Sequence, residues 1–399
     1  MRSRFASMLA LFCSLAGCVS GPSPQNPDGS LWMPGQASAG IAQTSPALCT
    51  DAHYSDTGIN NIVDADLQGL NQLVLAPGDR LRIDIAGDTD TLSGHYVVDA
   101  DGHVLLPIIG RVPAAGIDSE ALEQRLRDSL VAQQIIRPLA NGVTVRIEES
   151  GGVTVGVSGA VFSQGQVRVG ERRKEAGSGQ NTVLATGDDN DGRTVSSALR
   201  AAAGVRPDAD ISQIVLLRGD RRIVLDMRGL VGGWPAPDPE LTSGDRIIVP
   251  ASSCFDERLA HTGPLTAAGI RVHMSNLTHS AGNNAGAAIG KDTTSLPYGT
   301  RFLEALVEMN CVGGSAMQAG RKAVLISRNP ATGQGVVVER SIEKLVRGEG
   351  RDQENPYLMP GDALACYDSG WTNFREAVGL IGDIAGIGTS ALILDRAVK

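Results

Sequence analysis

Aromatic residues are scarce in this sequence, and glycine is abundant. Only 4% of the 399 residues are Phe, Trp or Tyr, whereas 49 are glycine. This composition favours short strands joined by many turns. Apolar residues still make up 42% of the chain, which is enough for real hydrophobic cores, and the length allows two or three domains.

Catalytic motifs are also missing. The sequence has no G-x-S-x-G, no phosphate-binding P-loop and no H-E-x-x-H. Its nearest pair of histidines, His273 and His279, matches neither a helical metal pair nor a strand pair. We therefore predict that the protein is not an enzyme and has neither a metal site nor a cofactor. A polysaccharide-processing enzyme is kept as an alternative, because two of the 44 acidic residues could still form a glycosidase pair.

Positive charge is too sparse for binding to nucleic acid. The formal net charge is −9, and the sequence has no basic stripe that would neutralise phosphates. Nucleic acid is therefore excluded as a partner.

The N-terminus has the pattern of a secretory signal. Arg2 and Arg4 precede an apolar run that is too short to span a membrane, and the run ends in Leu15-Ala-Gly-Cys18. This ending resembles a bacterial lipobox, which implies removal of residues 1–17 and acylation of Cys18. Because Val19 rather than Asp follows the cysteine, a familiar inner-membrane retention signal is missing. The alternative is an ordinary signal peptide in which Cys18 is incidental.

Four cysteines remain if Cys13 is removed with the signal and Cys18 carries lipid. An exported chain lies in an oxidising compartment, where cysteines pair. Four cysteines allow three pairings, and the spacing does not choose among them. The sequence has no C-x-x-C spacing that would indicate zinc. The four residues are Cys49, Cys254, Cys311 and Cys366.

Residues 18–70 are predicted to form a lipid tether and N-terminal segment, because much of this stretch is rich in Pro, Ser, Gly and Gln. Residues 71–150 are predicted to form a small α+β domain. A Pro-Gly-Asp turn at 77–79 precedes an alternating strand, and a hairpin is expected over residues 99–102. A helix capped by Asp118 or Ser119 should follow, with one more strand near Val145.

The next two segments repeat one order of elements. Residues 151–252 and 253–368 each show strands, a loop, a short helix, a hairpin and a Gly-Asp strand, which indicates an internal duplication.

The last stretch, residues 371–399, is predicted to form an amphipathic membrane helix. From Ala377 to Leu394 only Asp383 is charged, and 18 residues of helix span about 27 Å, close to a bilayer core. One face is predicted to line a pore: Thr372, Arg375 or Glu376, Gly379, Asp383, Gly386 and Ser390. The opposite face is predicted to meet lipid: Phe374, Val378, Ile381, Ala385 and Leu392.

Small residues in the same stretch indicate a packing seam between helices. Gly382, Gly386 and Ser390 recur every four residues, and small residues let helix backbones approach closely in a membrane. The alternative is a C-terminal helix that packs on a soluble core.

The order of motifs in residues 73–130 resembles the export domain of outer-membrane polysaccharide export lipoproteins. The shared pieces are Pro-Gly-Asp before a strand, Val98-Asp-Ala-Asp-Gly102, Leu106-Pro-Ile-Ile-Gly110 and the Glu- and Leu-rich helix. The resemblance implies that two SLBB β-grasp repeats follow, at 151–252 and 253–368. It places Cys311 and Cys366 in one repeat, which favours the pairs Cys311–Cys366 and Cys49–Cys254.

The expected function follows from this resemblance. It implies an outer-membrane lipoprotein channel, mainly periplasmic, with its C-terminus at the cell surface. An octameric homo-oligomer would export capsular or extracellular polysaccharide and work with an inner-membrane copolymerase or kinase. The runner-up is a periplasmic lipoprotein that binds a glycan or a partner and forms no pore.

Overall fold

The structure is a computed structural model. It describes residues 49, 73–88, 91–138, 142–172, 192–252, 254–276, 295–312, 320–328, 335–348, 351 and 354–367. The chain divides into two compact units, Ala47–Ala268 and Gly269–Lys399 together with Met1–Pro46. We describe each unit by itself.

The first half of the Ala47–Ala268 unit is an α+β domain built around one buried cluster of aliphatic side chains. Leu81, Ile83 and Ile85 alternate with polar residues and are buried, as the strand pattern predicts. The elements are β1 (Arg80–Ile85), β2 (Gly94–Val97), β3 (His103–Leu106), β4 (Gly110–Pro113), α1 (Ser119–Ala132) and β5 (Val143–Gly159).

Helix α1 confirms the predicted cap and buried stripe. The Asp118 carboxylate accepts a hydrogen bond of 2.7 Å from the Ala121 N–H, which satisfies one backbone donor at the helix start. Leu122, Leu126 and Leu130, spaced four apart on one face, are fully buried. The helix thereby covers one side of the domain core.

The predicted hairpin between residues 95–98 and 103–107 is wrong. Strand β2 pairs with β1, and β3 pairs with β4 in a separate two-stranded sheet. The reason lies at Val98, whose N–H donates to Asp79 O at 3.0 Å and whose C=O accepts from Gly78 N–H at 2.8 Å. The chain after β2 is thus held at the Pro-Gly-Asp turn and cannot extend a ladder with β3.

Strand β5 is 17 residues long and belongs to both halves of this unit. Its first part pairs with β1, and its second part pairs with β6 and with β9. The predicted domain boundary between residues 150 and 151 falls inside this strand. The two halves keep separate hydrophobic clusters but share one sheet.

The second half of the unit, which we call the first repeat, adds four strands and short helices to that sheet. Its strand order is β6-β5-β9-β7-β8, with β5 and β9 parallel and the other neighbours antiparallel. The elements are β6 (Gly165–Arg172), α2 (Val195–Ala201), β7 (Ile214–Arg218), β8 (Arg221–Leu225), α3 (Arg228–Gly232), β9 (Arg246–Val249) and a 3₁₀ helix (Glu257–Ala260).

The unit that begins at Gly269 contains the second repeat. Its main sheet has the order β11-β15-β13-β14, with β11 and β15 parallel and the rest antiparallel. This is the pairing of β5, β9, β7 and β8 in the first repeat. The elements are β10 (Gly269–Arg271), β11 (His273–Asn276), β12 (Ser295–Pro297), α4 (Phe302–Glu308), β13 (Lys322–Arg328), β14 (Gly335–Ser341), α5 (Ile342–Arg347) and β15 (Ala363–Tyr367).

In the described part of the chain, the helices are all too short or too polar to cross a membrane. The predicted signal, the acylation site at Cys18 and the predicted membrane helix at 371–399 lie outside the described residues.

Candidate functional site

A five-residue turn, Leu-x-x-Gly-Asp, occurs three times in the fold. The copies are Leu75–Asp79, Leu241–Asp245 and Leu358–Asp362. In each copy the leucine and the aspartate are no more than 1% exposed. Each glycine has a positive φ, of 95°, 89° and 86° in chain order, a backbone conformation that glycine adopts without steric cost. The turn is therefore a buried structural motif that precedes a strand in every case.

Each of the three aspartates closes its own turn with two hydrogen bonds. Its N–H donates to the C=O of the residue three positions earlier, at 3.1 Å in all copies. Its carboxylate accepts from the N–H of that same residue, at 2.8, 2.8 and 2.9 Å. The three closing residues are Ala76, Thr242 and Met359.

The first turn is attached to strand β5. The Asp79 carboxylate accepts from the Gly151 N–H at 2.8 Å and lies 3.4 Å from the Ser150 hydroxyl. Burial raises the pKa of Asp79, while these hydrogen bonds and the charge of Arg193 oppose that rise. The contact ties the start of β1 to the middle of the shared strand.

The second turn is neutralised by arginine. Arg218 donates from Nη2 to Asp245 Oδ2 at 2.7 Å and from Nε to Oδ1 at 3.1 Å. The side chain of Asp245 is 1% exposed and that of Arg218 is 20% exposed. Such a two-pronged guanidinium–carboxylate pair is strong and directional. The buried carboxylate therefore has a matched cation.

A second arginine joins this turn to the first. Arg193 is 1% exposed, and its Nε donates to Leu241 O at 2.7 Å. Burial lowers the pKa of Arg193, and the charges of Asp79, Glu240 and Asp245 counteract that effect. Arg193 and Arg218 thus form a buried charge network with the aspartates of the first and second turns.

The third turn lacks such a cation. Asp362 accepts hydrogen bonds from the Ser327 hydroxyl and from the Met359 N–H. Among the described residues, neither hydrogen bonds nor ion pairs join it to a positive group. Burial accordingly raises the pKa of Asp362 to about 7, although the two hydrogen bonds act against the rise.

The strand registers show that Ser327 occupies the place of Arg218. Arg218 lies one step beyond the Leu217–Arg246 pair and so faces Asp245. Ser327 lies one step beyond the corresponding pair in the second repeat and faces Asp362.

Thr300 similarly occupies the place of Arg193. The Arg193 C=O accepts from Leu241 N–H at 2.8 Å, and the Thr300 C=O accepts from Leu358 N–H at 3.0 Å. The second repeat therefore has two hydroxyl side chains where the first has two arginines.

The repeated turn is part of a longer repeated sequence that our sequence reasoning missed. Asp238–Asp245 and Asn355–Asp362 both read Asp/Asn-Pro-x-Leu-x-x-Gly-Asp. The first side chain of each accepts from a backbone N–H in the first turn of a helix: Asp238 from Ser196 at 2.9 Å and Asn355 from Leu303 at 2.8 Å. An internal alignment over these eight positions would have found the signal.

The α+β domain of residues 73–149 exposes three large apolar side chains. Val97, Leu105 and Ile108 are 50%, 65% and 70% exposed. Ile108 also has a φ of 69°, which is an outlier for a β-branched residue. Strained backbone and exposed apolar groups both occur often at contact surfaces.

The first repeat has one open sheet face. Val224 and Ile248 are 42% and 37% exposed and flank Val215 on neighbouring strands. The exposed residues Arg222 and Arg246 lie on the next cross-strand row. The face combines an apolar centre with basic edges, a combination that is common in binding surfaces.

Several titratable side chains outside the turns form surface ion pairs. His95 Nδ1 lies 2.7 Å from Glu148, and Arg111 bridges Asp99 and Asp101 at 2.8 Å each. Within the described ranges, groups of three or more metal-binding side chains do not come together.

Two disulfides are present, and they are the pairs that the family resemblance favours. Cys311 and Cys366 are both fully buried and join the end of α4 to β15, with Cα atoms 6.1 Å apart. Cys49 and Cys254 have Cα atoms 5.1 Å apart across 205 residues of sequence. The remaining predicted site residues, Cys18 and those at 372–392, lie outside the described residues.

These features define a mixed α+β fold of small domains, in which the Leu-x-x-Gly-Asp turn recurs. Residues 68–148 match the family of polysaccharide biosynthesis/export proteins. The chain therefore contains a domain similar to that of this family. A comparison with curated proteins gives no match.

Proposed function

We propose that the protein is an outer-membrane lipoprotein that forms a channel for capsular or extracellular polysaccharide. The observation that carries this proposal is the export-family match over residues 68–148. The lipobox-like ending at Cys18 supports acylation there. The acyl chains would attach each copy to the outer membrane, since every buried CH₂ contributes about 0.8 kcal/mol.

The two repeats support the proposed architecture. Their common strand order, with one parallel pair in each, fits two SLBB β-grasp modules placed after the export domain. In the proposed assembly, identical copies form a ring, an octamer by family resemblance. The C-terminal helices line up across the membrane, with Asp383 toward the lumen and Phe374 toward lipid.

Transport through such a channel is passive in physical terms. A wide hydrated lumen with few apolar groups would not retain a sugar polymer. The energy for transport would come from the inner-membrane copolymerase or kinase.

The location of the C-terminus tests the channel proposal. A single cysteine replaces Lys399 in one strain, and a matched control has Ser163→Cys, an exposed position in the first repeat. Intact cells are treated with a thiol reagent that does not cross the outer membrane. Labelling of the Lys399→Cys variant alone is the expected result, with Ser163→Cys labelled only after the outer membrane is permeabilised.

If both variants require permeabilisation, the channel proposal fails, and the periplasmic binding protein takes its place. The open face around Val215, with Arg222 and Arg246 beside it, is the observation that favours that second function. Cleavage of polysaccharide by the purified protein would instead support an enzyme.

A further inference from the structure

The Cys49–Cys254 disulfide lies outside the hydrophobic core that it adjoins. Neither cysteine belongs to the buried cluster of the first repeat. Cys254 is 8% exposed, and the Cys49 N–H donates to Phe255 O at 3.0 Å. Residue 49 is therefore held by one covalent bond and one backbone hydrogen bond, both at the C-terminal end of the first repeat.

The position of Cys49 in the sequence gives this contact a consequence. After Cys49 the chain is next described at Leu73, which enters the export domain. Without the disulfide, the covalent path from residue 49 to Leu73 runs through residues 50–72. With the disulfide, residue 49 is also joined directly to Cys254.

We propose that the Cys49–Cys254 disulfide is the attachment point of the lipid anchor, so that the anchor is joined to the first repeat and not to the export domain. The inference rests on the proposed acylation of Cys18. Under this arrangement, a force on the lipid anchor is transmitted to the protein at Cys254 and not through the export domain.

The disulfide also shortens the tether. From Cys18 to Cys49 there are 49 − 18 = 31 residues, and from Cys18 to Leu73 there are 73 − 18 = 55. At no more than about 3.5 Å per residue, the reach falls from roughly 190 Å to roughly 110 Å. Each copy is thereby kept closer to the membrane.

Site-specific cleavage tests this arrangement in the full-length protein. A recognition sequence for a specific protease is inserted between Asn60 and Asn61, and an epitope between Gly29 and Ser30. Cells are fed an alkyne fatty acid, and membranes are cut with the protease. The expected result is that label and epitope run at full size without reductant and on a small fragment with reductant.

Two matched variants make the result specific. With the protease site between Gly35 and Gln36, before Cys49, the label moves to the small fragment with or without reductant. In the Cys49→Ser/Cys254→Ser double variant cut after Asn60, it moves without reductant. Amide hydrogen exchange in β7 and β9 of that variant checks that the first repeat still folds; exchange should rise, because loss of a disulfide that closes a long loop destabilises the fold.

Release of the labelled fragment from the wild-type cysteine pair without reductant would overturn the proposal. If fatty acid is missing from every band while the epitope still depends on reductant, acylation of Cys18 fails and the disulfide linkage stands. Failure of the proposed lipoprotein function is thereby distinguished from failure of the attachment.

Discussion

At equivalent positions of the two repeats, Asp245 faces the guanidinium of Arg218, whereas Asp362 faces the hydroxyl of Ser327. The backbone of the two turns is the same, with a positive-φ glycine and the same pair of closing hydrogen bonds. The difference teaches that the turn geometry needs the aspartate and the glycine, while the charge of the aspartate can be handled in more than one way.

At the position that Gly204 occupies in the first repeat, the second repeat has a cysteine that forms a disulfide. The N–H of Cys311 donates to Leu306 O, as the N–H of Gly204 donates to Leu199 O, so Cys311 corresponds to Gly204. The first repeat thus joins its elements by buried ion pairs, and the second by the Cys311–Cys366 disulfide.

The largest effect is expected when Arg218 is replaced by serine, the residue type that occupies the equivalent position in the second repeat. Arg218→Ser removes the cation from a carboxylate that is 1% exposed. Loss of one partner of a buried pair costs about 3–5 kcal/mol. We expect the first repeat to unfold at lower urea, read by hydrogen exchange of β7 and β9 in the full chain.

The matched control is Arg222→Ser, which changes an exposed arginine on the same hairpin. It should change stability by about 0.5 kcal/mol or less. Equal effects of the two substitutions would show that the Arg218 pair contributes nothing special.

The next largest effect concerns the disulfide of the second repeat. Replacing Cys311 and Cys366 by alanine opens a loop with a sequence separation of 55, and loss of such a bond typically costs about 2–4 kcal/mol. Hydrogen exchange of β13 and β15 should rise accordingly, while exchange of β7 and β9 should not. A rise in both repeats would contradict the independent stabilisation that the comparison implies.

The pH dependence of the second repeat follows from Asp362. Its pKa is raised to about 7 in the fold, against about 3.9 in an unfolded chain. Between these values the folded state keeps a proton that the unfolded state has lost. The contribution to stability is therefore full below about pH 4, falls as pH rises to about 7, and is lost above.

Asp362→Asn tests this dependence because it removes the titrating proton. At about 1.4 kcal/mol per pKa unit, the free energy of unfolding of the wild-type second repeat should fall by a few kcal/mol between pH 4 and pH 7. The variant should lack this fall. Urea midpoints of the second repeat at several pH values measure it. Asp245→Asn, the matched change, should instead destabilise at neutral pH by leaving Arg218 unpaired. The same slope in wild type and Asp362→Asn would refute the assignment.

The smallest effect is expected from substitutions at the positive-φ glycines, which compare the backbones of the second and third turns. Gly244→Ala and Gly361→Ala place a Cβ at φ values of 89° and 86°, where both sites have open space within 4 Å. Each should cost about 1–2 kcal/mol from the left-handed conformation alone. Equal costs in thermal unfolding are expected, and a clear inequality would mean that the two turns differ in more than their side chains.

Local patterns in the sequence predicted much of the fold. The alternation of Leu81, Ile83 and Ile85 and the leucine stripe of α1 depend on near neighbours, so the period is visible directly. The hairpin at 99–102 was wrong because its outcome was decided by Val98 contacting a turn 20 residues earlier. Three short helices, at 228–232, 257–260 and 342–347, were missed because a helix of so few residues is too short to show a hydrophobic period.

The candidate site was harder to predict. The Gly-Asp turns were visible as sequence, but their partners were not. Arg218 reaches Asp245 from 27 residues away, and Arg193 meets Leu241 across 48. Such pairings depend on which strands lie side by side, and only the folded sheet determines that.

Strand β5 has a practical consequence for dissecting the protein. Its residues 143–149 complete the sheet of the export domain, and residues 150–159 form the centre of the first repeat. A truncation at residue 150 would cut this strand and separate Asp79 from the Gly151 N–H that it accepts from. The two modules should therefore melt in one cooperative transition, and Ala268 is the sounder place to cut the chain.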